Sequence, residues 1–410
     1  MDRPALTTDL GYIPRLAHAP GARSLLRGWA AGFRRSGSGP VVFVTGSDSL
    51  RRRGFEGPLL DALRATGAPV EVFRVAAEPS DEWVDAARES LRGGPAPFLV
   101  VAAGGGSVLD AGKALAAMVT EDGPTLAFLE GVGHLAPSGS CLPWIALPTT
   151  AGTGSEATHN AVLGRAGKNG FKKSLRHPAF KARAVILDGE LAVGCPRLTS
   201  AACGMDALTQ LLESYLSPVS PPLLDRWLEW GLELAFRSLP TVAAGTGVRP
   251  EIECRHDLAM AAFLSGAGLA HSNLGTVHGF AGPLGARVSV PHGVVCGTLL
   301  APCLRESVAW LEADGCDAAS LRKLACAGRI FAGAAPPGMR KPPEPAKDGE
   351  SRRYLVETLA DWTERMEFPP LRRYGVDEAI VDELLPRISN RNNPADLPPD
   401  TLRAVLRERL

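Results

Sequence analysis

Short unbroken apolar runs alternate with helical periodicities through the first half of the chain. "PVVFVTG", Pro40 to Gly46, is an apolar run closed by glycine, and its length predicts a strand buried on both faces. "GPLLDALRATGAP" then carries helical spacing that stops at Gly67. "VEVFRVA" predicts a second strand, and "DEWVDAARESLRGG" a helix with an acidic first turn and a Gly-Gly stop. "PFLVVAAGGGS" is a further buried strand, "LPWIALPTT" and "ARAVILDGEL" are two more, and "IPRLAHAP" is an edge-strand candidate. Strand and helix in this rhythm imply a parallel sheet joined by crossover helices.

After about Leu191 the pattern changes. "SAACGMDALTQLLESYLS", "LLDRWLEWGLELAFRSLPTVAAG", "CRHDLAMAAFLSGAGLAHS", "SLRKLACAGRIFAGA" and "SRRYLVETLADWTERMEF" all place apolar residues at three- and four-residue intervals, which predicts an all-helical region. With 410 residues the chain exceeds one ordinary core. The expected division is an α/β domain over residues 1–190 and an all-α domain over 191–410. A ligand bound between the two is the default expectation. "AAPPGMRKPPEPAKDGE", Ala334 to Glu350, is Pro-rich and charged and predicts a surface loop.

Charge narrows the function. Forty-four basic residues oppose forty-four acidic ones, so no electrostatic feature argues for nucleic acid or an anionic membrane. No run of eighteen apolar residues occurs, and "MDRPALTTDLGYIPRLAHAP" has no continuous apolar stretch of the kind a signal peptide needs. The eight cysteines show no C-x-x-C pair. Most are expected to be small buried hydrophobes in a reducing, cytoplasmic protein, with neither a redox motif nor a thiolate zinc site signalled.

Two glycine turns carry the first chemistry. In "FLVVAAGGGSVLDAGKALA", Gly104, Gly105 and Gly106 stand between a strand and a helix. Ser107 is the expected N-cap, and Asp110, three residues on, the expected closure of a capping box. Bare glycine N–H groups at a helix start suit a phosphate. "PTTAGTGSEAT", Pro148 to Thr158, follows another strand and brings Thr149, Thr150, Thr153 and Ser155. Both turns fall at the carboxyl ends of parallel strands, where open α/β sheets bind ligands.

The third site is "GTVHGFAGPLGARVSVPHG", Gly275 to Gly293, with His278 and His292 separated by five glycine and proline residues. On one straight helix the two imidazoles would lie about 21 Å apart along the axis. If the chain turns back across the intervening Gly279, Gly282, Pro283, Gly285 and Pro291, the two can converge. Upstream, Asp206 and Gln210 are four apart in a helical segment and share a face.

"GGGSVLDAGKALA", "PTTAGTGSEAT", "GMDALTQLLESY" and "VHGFAGPLGARVSVPHG" resemble, in order, motifs of the iron-containing (group III) alcohol dehydrogenases. "SNRNNPADLPPDTL" resembles the family's tail, so the likeness runs from about Ile13 to the C-terminal helix. It implies an N-terminal dinucleotide-binding α/β domain, an all-α C-terminal domain, and a homodimer. It also implies that Gly104, Gly105, Gly106, Ser107 and Asp110 hold the cofactor pyrophosphate region, and that Thr149, Thr150 and Thr153 line the adenosine and nicotinamide. Lys172 would lie near the ribose, with Lys173 as the neighbouring alternative. A divalent metal, Fe²⁺ or Zn²⁺, would be held by Asp206, His278 and His292, with Gln210 where the family has a further histidine.

Two departures matter. A Gln210 carbonyl is a weaker ligand than imidazole. Gly282 stands where many members carry a histidine, and it enlarges the expected pocket. At the end of the first strand, Gly46 occupies the place of an aspartate common in NAD-preferring relatives. Ser47, Ser49 and the run Arg51, Arg52, Arg53 follow it. Loss of the carboxylate favours NADP(H), with NAD as the alternative if Asp48 takes the ribose and the arginines are a solvated face. The implied activity is metal-assisted hydride transfer between the nicotinamide and a small alcohol or aldehyde. The rivals are a metal-independent reductase, a sugar-phosphate cyclase of the dehydroquinate-synthase kind, and a redox-silent cofactor-binding protein.

Overall fold

The computed structural model describes residues 13–35, 39–165, 167, 170–245, 249–315, 317–335, 347–390 and 392–410. Most of the expected loop at 334–350, Cys316, and residues 1–12 of the N-terminal stretch read for a signal peptide lie outside the described residues. The described residues form two compact units that divide between Cys195 and Pro196.

The first unit is built on strands β1 (Arg15–His18), β2 (Val41–Gly46), β3 (Val70–Val75), β4 (Leu99–Gly104), β5 (Trp144–Pro148), β6 (Asn160–Arg165), β7 (Phe171–Arg176) and β8 (Ala184–Leu187). Six of these pair in parallel in the order β1-β8-β5-β4-β2-β3, as the alternating pattern predicted, with β1 at one edge. Helices α1 (Leu26–Ala31), α2 (Ser49–Arg52), α3 (Glu56–Arg64), α4 (Asp81–Ser90) and α5 (Gly106–Met118) accompany them. Val41 to Val44 are wholly buried, as are Leu99 to Ala103. This is why these strands read as unbroken apolar runs. Phe43 packs with Leu59 and Leu63 of α3 in one core, and burial of a side chain this size contributes roughly 1.5–3 kcal/mol. The strand order reverses between β2 and β4, because β3 lies on one side of β2 and β4 on the other. In sheets of this kind that switch point is where ligands bind. β6 and β7 form a separate antiparallel ribbon that the periodicity did not reveal.

The second unit is all-helical: α6 (Arg197–Leu216), α7 (Pro222–Leu239), α8 (Glu251–Ser272), α9 (Thr276–Arg287), α10 (His292–Asp314), α11 (Ala318–Ala334), α12 (Asp348–Arg365), α13 (Glu378–Leu384) and α14 (Pro399–Glu408). Stacked rings of Phe236, Phe331 and Trp362 tie α7, α11 and α12 together, with centroids 3.9 Å and 4.8 Å from Phe236. Helix α10 is long and apolar enough to cross a membrane by length and composition. Its Val294–Leu304 stretch is instead buried within this unit.

The stretch from Gly275 to Gly293 corrects one expectation. It is not a folded-back loop but a helix, a short break and a second helix, with Pro283 accommodated inside α9. The glycines serve close approach rather than bending. A Cβ on Gly279 would overlap the carbonyl oxygen of Ser389, and one on Gly293 would overlap that of Ala202 in α6. Each glycine directly follows one of the two histidines, so each lets a helix start press against its neighbour.

Candidate metal centre and cofactor loops

Helix α6 carries Asp206 and Gln210 one turn apart, both buried. His278 lies in the first turn of α9, and His292 is the first residue of α10. The imidazole centroids are 5.2 Å apart. Nε2 of His278 is 3.4 Å from Asp206 Oδ1, and Nε2 of His292 is 3.5 Å from the same oxygen. The convergence expected of Asp206, His278 and His292 is therefore present.

Two further residues complete the cluster. Cys296 Sγ lies 3.6 Å from Asp206 Oδ1 and 3.9 Å from His278 Nε2. Glu213, one further turn along α6, places Oε2 2.6 Å from Nδ1 of His278, and its Oε1 accepts from the Val277 N–H at 2.6 Å. A carboxylate behind Nδ1 fixes a proton there and aims Nε2 at Asp206, so Nε2 is the nitrogen that could give up its proton to a metal. The sequence signals were available as i,i+4 and i,i+7 spacings, His292 to Cys296 and Asp206 to Glu213. A search for C-x-x-C pairs could not show them, and Cys296 is not the isolated hydrophobe that was expected.

Gln210 lies beside Asp206, as the four-residue spacing predicted. Its Nε2 donates to Asp206 Oδ1 at 3.1 Å, and its Oε1 accepts from Ser265 Oγ at 2.9 Å. It holds the carboxylate from the side. His271 turns back to the Ala267 carbonyl at 2.7 Å within its own helix.

The charges of the cluster depend closely on one another. Burial opposes ionisation of Asp206, but His292, His278 and Gln210 outweigh it and hold its pKa below the ordinary 3.8. Burial also opposes charge on His278, yet Cys296, Glu213 and Asp206 raise its pKa well above 6.5. Burial pushes the Cys296 thiol up to about 12. A Cβ at Gly282, one turn beyond His278, would meet nothing within 4 Å, so the space expected there exists.

In the α/β unit the two glycine turns pack on each other. The Thr149 N–H donates to the Gly104 carbonyl at 2.9 Å, and β4 and β5 pair Gly104 with Pro148. A Cβ on Gly106 would come 2.5 Å from Thr153 Cγ2, and one on Gly105 3.2 Å from Thr150 Oγ1. The capping expectation is corrected here. The N-cap of α5 is Gly105, without a side-chain cap, and Ser107 is already helical. Asp110 does not close the helix start. Its Oδ1 accepts from Ser155 Oγ at 2.5 Å and its Oδ2 from the Val162 N–H at 3.2 Å. Lys113, fully buried, donates to Ser155 Oγ, Thr158 Oγ1 and the Asn160 carbonyl at 3.0, 2.8 and 2.6 Å. Burial lowers its pKa to about 8 against the pull of Asp110 and Glu156. Asp110 and Lys113 thus clamp the second turn to α5, and the uncapped start of α5 remains the anion-receptive feature.

Gly46 ends β2, beside β4, and Ser47 follows it. Arg74 donates to the carbonyls of Gly46 and Ser47 at 3.1 and 3.0 Å and pairs with Glu56. Ser49 opens α2. Arg51 pairs with Asp48, Arg53 donates to the carbonyls of Leu191 and Val193, and Arg52 is exposed. Lys172, on β7, pairs with Glu78 at 2.6 Å. Lys173, next along the strand, takes the opposite face of the ribbon.

Residues 21–189 match the family model described as iron-containing alcohol dehydrogenase, and residues 200–408 match that of the Fe-containing alcohol dehydrogenase family, C-terminal. The chain belongs to the iron-containing alcohol dehydrogenase family. Among relatives of this family, the probable alcohol dehydrogenase EutG of Salmonella typhimurium (strain LT2) is 35% identical over 260 residues. That match spans 63% of this chain and 64% of the relative, so just under two thirds of each is aligned. The fold is that of a 1,3-propanediol oxidoreductase crystal structure, with a TM-score of 0.79 at 25% identity, covering 97% of this chain and 98% of that one. It is also that of a sulfoacetaldehyde reductase from Bifidobacterium kashiwanohense solved with NAD⁺, with a TM-score of 0.80 at 24% identity and 99% of each chain covered.

Proposed function

We propose that the chain is a nicotinamide-dependent alcohol/aldehyde oxidoreductase whose helical unit holds a divalent cation at Asp206, His278 and His292. The observation that carries this reading is the convergence of those three side chains, with Glu213 backing His278, in a chain of this family. The donor set fits a cation. One carboxylate oxygen, two imidazole nitrogens and a sulfur lie within 4.8 Å of one another.

When bound, the ion supplies Lewis acidity toward an alcohol or carbonyl oxygen, and the nicotinamide supplies or accepts hydride. The chain's own groups do the rest. Glu213 keeps a proton on Nδ1 of His278, so Nε2 is the nitrogen that would give its lone pair to an ion. Gln210 and Ser265 fix the Asp206 rotamer. The uncapped N-terminus of α5 receives the cofactor pyrophosphate, and Thr150 and Thr153 close over Gly105 and Gly106 beside it. The gap beside Gly282 leaves room for a substrate bulkier than a simple short-chain alcohol.

NADP(H) is the proposed coenzyme, with Ser47 and Ser49 at the end of β2 as candidate partners of a ribose phosphate and no carboxylate at Gly46 to repel it. The test is titration of purified protein with NADPH and NADH, followed by turnover on a panel of aldehydes. Tighter NADPH binding with net oxidation of NADPH is the expected result. Binding without turnover on any aldehyde would favour a redox-silent protein, and product formation without net NADPH consumption a cyclase.

A further inference from the structure

We infer that Cys296 is the fourth protein ligand of the metal centre, giving an Asp–His–His–thiolate set in which Gln210 braces Asp206 rather than binding the ion. This rests on the reading of Asp206, His278 and His292 as metal-holding residues.

The geometry carries the inference. Tetrahedral sites have bonds of about 2.0–2.2 Å to nitrogen and oxygen and about 2.3 Å to sulfur, so their donor–donor edges are about 3.4 Å for N···O and about 3.6 Å for S···N or S···O. The observed N···O edges are 3.4 and 3.5 Å. The sulfur edges are 3.6 Å to Asp206 and 3.9 Å to His278. Four edges among donors from three helices thus lie close to tetrahedral values, and all four donors lie within 4.8 Å of one another. Cys296 follows His292 by one helical turn on α10, so the two share a face, and the sulfur is wholly buried among the other donors.

Gln210 does not compete for that corner. The group it turns toward Asp206 is its amide nitrogen, which has no lone pair to give, while its oxygen lies 2.9 Å from Ser265 Oγ, whose one proton is shared with the Ala262 carbonyl at 2.8 Å. Turned the other way, the amide would set its oxygen against the Asp206 carboxylate, acceptor to acceptor.

Ligation breaks the Cys296 S–H bond, forms an S–metal bond and releases one proton to solvent, with no change of oxidation state. Two anionic donors then balance a divalent charge inside a buried site. A thiolate beside imidazoles favours Zn²⁺ over oxygen-seeking ions such as Mg²⁺ or Mn²⁺.

The test uses the full chain stripped with chelator and reloaded with Co²⁺, whose thiolate complexes absorb strongly in the near ultraviolet and whose purely nitrogen–oxygen complexes do not. The expected result is one equivalent of cobalt with that band. Cys296→Ser and Cys296→Ala should keep the stoichiometry, lose the band and bind Zn²⁺ at least about tenfold more weakly, while Gln210→Leu keeps the band. One equivalent of cobalt without the band in the unaltered protein, or a band that survives in both cysteine variants, would overturn the inference and leave the underlying metal reading intact. Failure of the unaltered protein to bind any divalent ion would overturn both.

Discussion

Glu213→Gln isolates the contact that orients His278. Glu213 Oε2 stands 2.6 Å from Nδ1 of that imidazole, and Oε1 2.6 Å from the Val277 nitrogen. Glutamine keeps the length and shape of the side chain, and its oxygen can still serve Val277. Its amide nitrogen then faces Nδ1, so two donors meet. The clash is relieved only if the imidazole carries its proton on Nε2, the atom that faces Asp206, and then the lone pair is lost to a metal. Loss of such an outer carboxylate lowers metal affinity by about 10–100-fold, or about 1.4–2.7 kcal/mol. The buried charge-assisted bond to His278 itself stabilises the metal-free fold by about 1.5–3 kcal/mol. Competition between the protein and a chelator for Zn²⁺ reads the first quantity, and denaturant unfolding of the stripped proteins reads the second. If Glu213→Gln holds zinc within twofold of the unaltered chain while remaining folded, the orienting role assigned to Glu213 is wrong.

Three other outcomes follow from the packing. Gly106→Ala sets a methyl 2.5 Å from Thr153 Cγ2 and 2.7 Å from its Oγ1, and a β-branched neighbour has little freedom to yield. A loss of about 1–3 kcal/mol in unfolding experiments is expected, with weaker coenzyme binding in a fluorescence titration. Asp257 accepts from Arg237, Ser238 and Arg249. Burial disfavours its charge, but these partners outweigh it and hold its pKa below 3.8. A depressed carboxylate stabilises the fold above its unfolded pKa, and that contribution disappears as pH falls through the folded value. Asp257→Asn should therefore cost about 1.5–3 kcal/mol at neutral pH, and the deficit in urea unfolding should shrink only below pH 3.8. Lys113→Met would remove the ammonium that ties Ser155, Thr158 and the Asn160 carbonyl to α5 and leave buried Asp110 without that nearby positive charge. It should lower the midpoint of thermal unfolding and loosen the turn at 150–155, read as faster amide exchange there.

The sheet was legible because its strands are buried on both faces. Val41–Val44 and Leu99–Ala103 could not be polar, so they appeared as apolar blocks. The β6–β7 ribbon escaped notice because its faces are mixed. Phe171 to Arg176 carries three basic residues, and its burial follows no simple alternation. In the site, Asp206, His278 and His292 were legible by type and order. Glu213 and Cys296 were not, because a buried carboxylate and a buried thiol declare their role only through what touches them. Gly279 was read as a breaker, although a Cβ there would overlap the carbonyl of Ser389, as one on Gly293 would that of Ala202. Backbone approach of that kind leaves no trace in local periodicity. Ser107 was a reasonable cap by residue type, but the cap is Gly105, two residues earlier, and the helix starts at Gly106, where only glycine fits against Thr153.

The most direct measurement is elemental analysis of the purified chain beside its Asp206→Ala variant, each also reloaded with zinc and dialysed. One equivalent of divalent metal in the unaltered protein and none in the folded variant is the expected result, since Asp206 Oδ1 is the atom on which both imidazoles and the thiol converge. Equal metal content in the two proteins, or none in either after reloading, would contradict it.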